Sequence, residues 1–345
     1  MTDGELERLV VALPKVELHV HLEGSMRPPV LLELARRNRV DLPAGDAQQL
    51  AEWFRFRDFE HFVDIYLTCS RCLRTPEDFQ LLARDFVAEQ ERQNVLWSEA
   101  HFTISTHLSN GVNGDEVADA LAEVFDEAAR RRGVHVRLIP DIVRNVGPAA
   151  ADRTLEWALD HRRHGVVALG LSGFESVPDG PFREHFEVAE REGLHRVAHA
   201  GEHGGPEVIR SVLDTCRAER IGHGVRAVDD PGLLAELAER GIPLEVCPTS
   251  NVRLGVCPEL GEHPLPRLRA AGIPVTLNSD DPPLFGTTLN DEYLRVAETF
   301  ALAPQDLAAL ATAAFEASFA AGAERQELAG RMRDGLQRAG LRACE

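Results

Sequence analysis

Histidines and acidic residues that could bind a metal ion recur at separated places in the chain. His19 and His21 are separated by one residue. His199, His223 and Asp280 each stand at the end of a short aliphatic run. Residues i and i+2 of a β-strand point to the same side, so we expect the first two imidazoles to face one site together.

Imidazoles combined with a carboxylate suit a borderline-soft divalent ion, with zinc first and iron, cobalt or manganese as substitutes. We expect four ligands for one such ion: His19, His21, His199 and Asp280. His223 is then available as base and electrostatic partner of a metal-activated water. Glu202 lies three residues beyond a ligand, near the bound substrate, and is expected to act as the acid. This arrangement predicts hydrolysis at an sp2 carbon.

Eight short runs rich in β-branched and aliphatic residues predict the strands that position these groups. They span residues 16–20, 95–102, 134–139, 166–171, 196–199, 220–223, 243–246 and 274–277. Amphipathic helical patterns alternate with them, and several end at glycine. This alternation predicts an α/β fold, a (β/α)8 TIM barrel, rather than a doubly wound open sheet. The absence of GxGxxG after the first run also disfavours a dinucleotide-binding sheet.

Two segments exceed a minimal barrel. More than 70 residues separate the first two predicted strands, and those at about 45–90 are expected to form a helical excursion that is either a lid or simple packing. Extra helices are expected at the C-terminus, over residues 291–339. No repeat or linker divides the chain, so residues 1–345 are predicted to form a single domain.

The chain contains a single lysine, Lys15, at the start of the first predicted strand. A two-metal barrel hydrolase bridged by a carboxylated lysine would need that lysine at the end of strand four, and the run at 166–173 has none. The predicted centre therefore holds one metal, and Schiff-base chemistry at the barrel mouth is excluded.

Charge and composition limit the partners. The 345 residues include 37 basic and 56 acidic side chains, for a formal charge of -19. Such a surface disfavours nucleic acid and membranes as partners. With no signal sequence or long apolar run, we expect a cytoplasmic protein. The Cys69/Cys72 pair lacks a second ligand pair, so we expect idle thiols rather than a zinc site.

Five motifs resemble the adenosine deaminase family of the amidohydrolase superfamily, in order and at similar spacing from about residue 12 to 320. They span residues 14–25, 199–202, 220–224, 247–251 and 279–283. The resemblance implies a zinc (β/α)8 barrel that hydrolyses the cyclic amidine C–N bond of an adenine-type purine, giving a 6-oxo product and ammonia.

The resemblance also implies individual roles. It gives the same four zinc ligands, with one zinc per chain, and makes Glu202 the donor that protonates purine N1. It implies that His223 stabilises and helps to deprotonate the water. Asp281 would hydrogen-bond purine N7, and the backbone N–H of Gly173 would contact N3. The residues expected beside the substrate are His21, Glu23, Gly173 and Asp281.

Three departures lie on the substrate side. Glu23 stands where adenosine deaminases usually have Asp, and the segments 97–102 and 172–175 differ from the usual pattern. The leading hypothesis is deamination of adenosine or a close 6-aminopurine nucleoside, with adenine or aminodeoxyfutalosine as alternatives. Another ring (pterin, cytosine or guanine) and a non-catalytic binding protein on the same fold are the more distant hypotheses. The oligomeric state, the metal loaded and the group on purine N9 are open at this point.

Overall fold

The computed structural model describes residues 2–342, so Cys344 and the chain ends lie outside the described part. The strands are β1 (Lys15–His21), β2 (Val95–Phe102), β3 (His135–Val143), β4 (Ala168–Ser172), β5 (His195–Ala200), β6 (Arg220–His223), β7 (Leu244–Val246) and β8 (Val275–Leu277). Each pairs in parallel with its neighbour in sequence, from β1 through to β8.

The first and last strands meet at their carboxyl ends. The backbone N–H of His21 donates to the carbonyl of Asp280 at 2.9 Å, and the N–H of Asp280 donates to the carbonyl of His19 at 3.1 Å. These bonds bring β8 back to β1 and confirm the predicted (β/α)8 barrel.

All eight predicted strands are present. Two have the predicted bounds, β2 and β6, whereas β3 runs four residues beyond its predicted end, to Val143. The extension begins with Pro140 and Asp141, residue types that strands generally avoid. Asp141 is accommodated because its carboxylate is paired with a histidine on the neighbouring strand β2, at 2.9 Å from His101 Nδ1.

Helices surround the barrel. In the described residues they are α1 (Asp3–Ala12), α2 (Pro28–Asn38), α3 (Ala47–Trp53), α4 (Phe59–Arg71), α5 (Pro76–Arg92), α6 (Ile104–Ser109), α7 (Gly114–Arg132), α8 (Pro148–Asp160), α9 (Arg183–Arg191), α10 (Pro206–Thr215), α11 (Pro231–Arg240), α12 (Pro248–Arg253), α13 (Leu265–Ala270), α14 (Pro282–Phe285), α15 (Leu289–Thr299), α16 (Pro304–Ala317) and α17 (Gly322–Arg338). Short 3-10 helices lie at Glu23–Ser25, Arg144–Val146, Arg162–His164, Gly180–Phe182, Val225–Asp229 and Leu260–Glu262. The apolar core is continuous from the barrel to these helices.

The two predicted additions to the barrel are helical. Four helices, α2 to α5, lie between β1 and β2, and α14 to α17 follow β8. Phe62 of α4 stacks on Phe285 of α14 with ring centroids 5.2 Å apart. Phe59 packs edge to face on Phe174, which follows β4, also at 5.2 Å. The aromatic residues of the excursion therefore link it to the rim of the barrel, and movement of α4 as a lid stays a prediction.

Lys15 lies at the end of the barrel opposite to the predicted site. Its ammonium donates to the carbonyls of Leu13 at 2.8 Å and Gln93 at 2.9 Å. Burial lowers the pKa of Lys15 to about 7. Since these bonds hold it at the amino end of β1, the side chain cannot bridge metal ions at the mouth.

Cys69 and Cys72 are buried and not bonded to each other, at the end of α4. Burial raises the pKa of Cys69 well above its ordinary value and that of Cys72 to about 11. Both therefore remain thiols, whereas a metal ligand or redox nucleophile would be a thiolate.

No helix within residues 2–342 is long and apolar enough to cross a membrane.

We expect the double variant Cys69→Ala with Cys72→Ala to keep the metal content of the parent protein. The lost packing should cost about 1 to 2 kcal/mol of unfolding free energy per side chain. Metal analysis and denaturant unfolding measure the two quantities. Cys216→Ala, which removes a buried cysteine outside the pair, is the matched control. Loss of one equivalent of metal in the double variant alone would show that the thiols bind it.

Candidate active site

The predicted ligands meet at the carboxyl end of the barrel. Nε2 of His21 lies 3.2 Å from Nε2 of His199. Asp280 Oδ1 lies 3.4 Å from His21 Nε2 and 3.7 Å from His19 Nε2. Three strands, β1, β5 and β8, thus bring one oxygen and three ring nitrogens to a single point.

The donor set fits a zinc ion. With zinc bonds of 2.0 to 2.1 Å, two ligands of a tetrahedral site lie about 3.3 Å apart, close to the three separations above. His19 Nε2 is buried and accepts or donates no hydrogen bond within the described residues. A buried ring nitrogen without a partner is costly unless something else satisfies it, and a metal ion would.

The other ring nitrogens are held by the protein. His19 Nδ1 lies 3.0 Å from Glu245 Oε2, and His199 Nδ1 donates to the carbonyl of Leu171 at 3.0 Å. Such partners fix the ring orientation and leave the Nε2 lone pairs facing the common point. Burial lowers the pKa of all three predicted ligand histidines. Their rings are therefore neutral, as metal binding requires.

An ionic chain beneath the site supports His19. Glu245, which holds the His19 ring, accepts from Arg220 Nε at 2.6 Å. The same guanidinium lies 2.7 Å from Glu99 Oε2, and all three charged side chains are fully buried or nearly so. No function was predicted for these residues from the sequence. The available signal was a charged residue inside each of three predicted strands, β2, β6 and β7, and only the closed barrel brings these residues together.

Two other donors lie close to the ligands. His223 with His19 and His199, and Cys247 with His19 and Asp280, each form a group whose ligand atoms lie within 4.8 Å of one another. Burial raises the pKa of Cys247 well above its ordinary value, and its thiol contacts the carbonyl of Glu245 at 3.6 Å. Without a metal, the Cys247 thiol therefore keeps its proton and can donate it to that carbonyl.

Two residues of the mouth have an unusual backbone. Asp280 has φ 64° and His223 has φ 61°, the left-handed region that residues other than glycine rarely adopt. The bonds that close the barrel hold Asp280 in this conformation. Strain of this kind is characteristic of functional sites, where the surrounding structure imposes it.

Asp281 depends on a glycine. It is buried, and burial together with the charge of Asp280 raises the pKa of its carboxyl well above the ordinary range. A Cβ on Gly24 would overlap Asp281 Oδ1, so only glycine leaves room for this side chain. A protonated Asp281 can donate a hydrogen bond, which suits a partner with a ring nitrogen acceptor.

Glu202 lies beside two histidines. Its carboxylate is 3.7 Å from His223 Nε2 and 3.3 Å from His203 Nδ1. Burial raises the pKa of Glu202, but the positive charge that His223 and His203 can carry outweighs burial, and the net pKa is lowered. Glu202 must therefore take up a proton before it can donate one.

The turn that carries Glu202 is held by Glu175, which sequence analysis did not single out. The Glu175 carboxylate accepts from the backbone N–H groups of Glu202 at 3.0 Å, Gly201 at 3.1 Å and Gly204 at 2.7 Å. On the other side, Arg144 donates to the carbonyl of His199 at 2.6 Å. Charged side chains from the ends of β3 and β4 thus fix the peptide between a predicted ligand and the predicted acid.

A cavity opens above the site. Its wall includes most of the predicted site residues: His21, Gly173, His199, Glu202, His223, Asp280 and Asp281. Gly173 has φ 87°, which glycine alone adopts readily. Along the remaining wall the side chains are mainly apolar: Phe59, Phe62, Val63, Leu67, Val143, Val146, Phe174 and Leu254. Val146 is 54% exposed at the rim.

Glu23 lies behind the cavity wall. It is fully buried, and one oxygen accepts from the N–H of Thr103 at 2.8 Å and lies 2.9 Å from His107 Nε2. The other oxygen accepts from the hydroxyl of Tyr66 at 3.2 Å. Tyr66 and Thr103 do line the cavity. Any influence of Glu23 on a ligand therefore passes through these two residues.

Comparison with known proteins gives three levels of similarity. The family model for adenosine deaminase matches residues 14–334. An aminodeoxyfutalosine deaminase from Streptomyces coelicolor is 42% identical over 91% of this chain and 82% of that protein. An adenine deaminase from Chlorobium phaeobacteroides is 37% identical over 93% and 96%, respectively. The solved adenine deaminase from Arthrobacter aurescens matches with a TM-score of 0.89 and 31% identity, over 94% of this chain and 99% of that one.

We expect Glu245→Gln to weaken metal binding by about 10- to 100-fold, because a neutral amide orients His19 less firmly and makes it a poorer donor. Competition against a chromogenic chelator measures the affinity. Glu292→Gln is the matched control, since Glu292 is equally buried but bonds to Thr249 and Thr287. Equal affinities in the two variants would contradict a supporting role for Glu245.

Proposed function

This chain belongs to the adenosine deaminase family, and we propose that its substrate is a 6-aminopurine nucleoside whose ribose carries a 5′ extension with a large apolar part, as in aminodeoxyfutalosine. Members of the family that resemble it are deaminases, so the enzyme is a hydrolase of cyclic amidine C–N bonds and acts on aminopurines. The proposal of a 5′ extension rests on one observation: the apolar wall of the cavity continues from the polar site to the rim.

We propose zinc as the metal, one ion per chain. It would be held by the four converging groups: His19, His21, His199 and Asp280. When bound, a divalent ion of this kind lowers the pKa of a coordinated water and so supplies the nucleophile at neutral pH.

The protein's own groups orient the purine and move the protons. Asp281, protonated in its buried setting, would donate to purine N7, and the backbone N–H of Gly173 would contact N3. Glu202 would accept a proton released by the attacking water and deliver it to N1 as oxygen adds to C6. The second proton of the water, left on the oxygen at C6, must then pass to the amino group, which leaves as ammonia while the purine gains its 6-oxo group and keeps the proton on N1. Proton transfer by a placed carboxylate typically contributes about 10²- to 10⁴-fold in rate.

This orientation determines what surrounds the group on N9. Purine N3 and N9 lie on the same edge, so contact of N3 with Gly173 turns the substituent toward the neighbours of Gly173 in the wall. Those neighbours include Phe174, whose N–H donates to Asn145 Oδ1 at 3.3 Å, and Phe59, which packs on Phe174. Beyond them is the exposed Val146. An apolar extension on ribose would cover these side chains, whereas adenine would leave them in water.

We expect the ratio kcat/KM to be highest for aminodeoxyfutalosine, lower for adenosine and lowest for adenine. The additional apolar contact area is the physical reason. Ammonia release and the loss of absorbance on deamination, measured side by side for the three compounds, test this order. If adenine were the best substrate by ten-fold or more, the proposed extension would be wrong while the deaminase chemistry stood.

A variant at the rim of the cavity, assayed with the same three compounds, tests where the 5′ extension of the substrate lies. Val146→Asn should lower kcat/KM for aminodeoxyfutalosine about five-fold, because covering half of a valine is worth about 1 kcal/mol, and should leave adenine unchanged. Val11→Asn, a valine 48% exposed on the outer helix α1, is the matched control. An equal effect of Val146→Asn on all three substrates would place the extension elsewhere.

We expect Glu202→Gln to retain one zinc per chain and to lose at least about 10²-fold in kcat, because an amide cannot pass a proton to N1. Zinc analysis and single-turnover ammonia release measure the two effects. His19→Ala should show the converse loss, of zinc itself. Near-normal turnover by the Gln variant would remove Glu202 from the mechanism.

A further inference from the structure

A chain of hydrogen bonds leads to His223 from a backbone N–H. The N–H of Leu265, the first residue of α13, lies 3.0 Å from Nδ1 of His263. A backbone amide can only donate, so His263 Nδ1 must accept and carries no proton. His263 is buried, and burial lowers its pKa to about 4. The neutral ring therefore has its one proton on Nε2.

The next bond fixes the amide of Asn251. His263 Nε2 lies 3.1 Å from Asn251 Oδ1 and donates to it. The amide nitrogen is then directed to His223 Nδ1, at 3.2 Å. Reversing the amide would bring two donors face to face in a fully buried position. The orientation of Asn251 thus follows from the backbone donor rather than from the similar shapes of its oxygen and nitrogen.

Because the Asn251 amide donates, Nδ1 of His223 accepts. A neutral His223 therefore carries its proton on Nε2, which points into the site. That nitrogen lies 3.7 Å from Glu202 Oε1 and 4.0 Å from Asp280 Oδ2. The strained backbone at His223, with φ 61°, holds the ring against both Asn251 and the cavity.

We propose that Asn251 and His263 are positioning residues that set the tautomer of His223, so that His223 presents an Nε2–H donor to the reacting water. The role of this donor toward the reacting water rests on the proposed function. The position of the proton on His223 Nε2 does not, because it follows from the hydrogen bonds alone. It makes His223 the electrostatic partner of the nucleophile rather than its base.

Two consequences follow for the site. An Nε2 that carries a proton has no lone pair for a metal, so His223 is excluded from the group it forms with His19 and His199. The proton of the attacking water must go to a carboxylate, and Glu202 is the one that can also reach the purine. In the addition step one proton leaves the water and one arrives at N1, and the second water proton leaves later with the ammonia.

The direct test is the ¹⁵N spectrum of histidine side chains in the full, zinc-loaded chain. Measured without substrate at about pH 8, above the ordinary histidine pKa, His223 should show an unprotonated Nδ1 and a protonated Nε2. Loss of one ring signal in His223→Gln assigns it. A protonated Nδ1 in the parent protein would overturn the proposal. Because no substrate is present, this result is independent of whether the proposed deamination is correct.

A matched pair of variants tests the relay. Asn251→Asp has the same shape but offers only acceptors, so it should force the His223 proton onto Nδ1 and invert the ¹⁵N pattern. Removing the donor should lower kcat by about 10²-fold, with KM within two-fold and one zinc retained. Asn113→Asp, which changes a residue capping α7 at the surface, is the control and should match the parent. An Asn251→Asp protein with the parent ¹⁵N pattern and kcat would contradict the relay.

Substitutions at His263 test the first step of the relay. His263→Gln keeps an N–H that can donate to Asn251 and should preserve most of the activity and the ¹⁵N pattern. His263→Leu removes the donor and should give two forms of His223, with a reduced kcat and an unchanged zinc content. The same loss of kcat in both variants, with the His223 pattern unchanged, would reduce His263 to a packing role and overturn the proposal. If a variant does not fold, the ¹⁵N spectrum of the parent protein still tests which nitrogen of His223 carries the proton.

Discussion

The centre of the barrel depends on the ion pairs that one buried guanidinium, that of Arg220, makes with two carboxylates. Arg220 lies between Glu99 and Glu245, stacks on the ring of Phe319 at 3.7 Å, and donates to the carbonyl of Ala317 at 2.9 Å. Two carboxylates without water are stable only if a cation and further hydrogen bonds compensate them. Removing the arginine would leave two buried negative charges under the metal site. The cluster thus joins three strands and the segment after α16 to the orientation of His19.

Above that cluster, hydrogen bonds rather than packing fix the geometry. Two groups proposed to act on the substrate have hydrogen-bonded partners: Asn251 for His223, and Glu175 for the turn of Glu202. These partners orient the turn that carries Glu202 and set the position of the proton on His223. Supporting residues of this kind keep a site ready for reaction without a rearrangement when the substrate binds.

Sequence alone was sufficient to predict the strands and to bring the proposed metal ligands to one end of the barrel. Aliphatic runs mark the strands of a parallel barrel because both faces are buried, and residues at the carboxyl ends of such strands must meet. The spacing of His19 and His21 added the direction of the side chains. Lys15 could be placed at the opposite end by the same argument, which predicted a site for one metal.

Partners across strands could not be predicted in this way. Glu175 and Asn251 act through residues at least 26 positions away, and their contacts depend on the register of the closed sheet and on loop conformations. Glu23 shows the converse: its motif pointed to the substrate, but the fold directs its carboxylate to Tyr66 and Thr103. A local pattern specifies a residue's strand and face, whereas the loops decide what the side chain contacts.

The two sides of the cavity are built by different parts of the chain, and this separation bears on specificity. The polar side comes from strand ends whose positions the closed barrel fixes. The apolar side comes largely from α4 and the loops after β3 and β4, which contribute Phe59, Val146 and Phe174. A substitution in these segments changes the apolar surface of the cavity without moving the proposed metal ligands or Glu202. Relatives on one barrel can therefore share the deamination chemistry and differ in the purine they accept, as the aminodeoxyfutalosine and adenine deaminases that resemble this chain do.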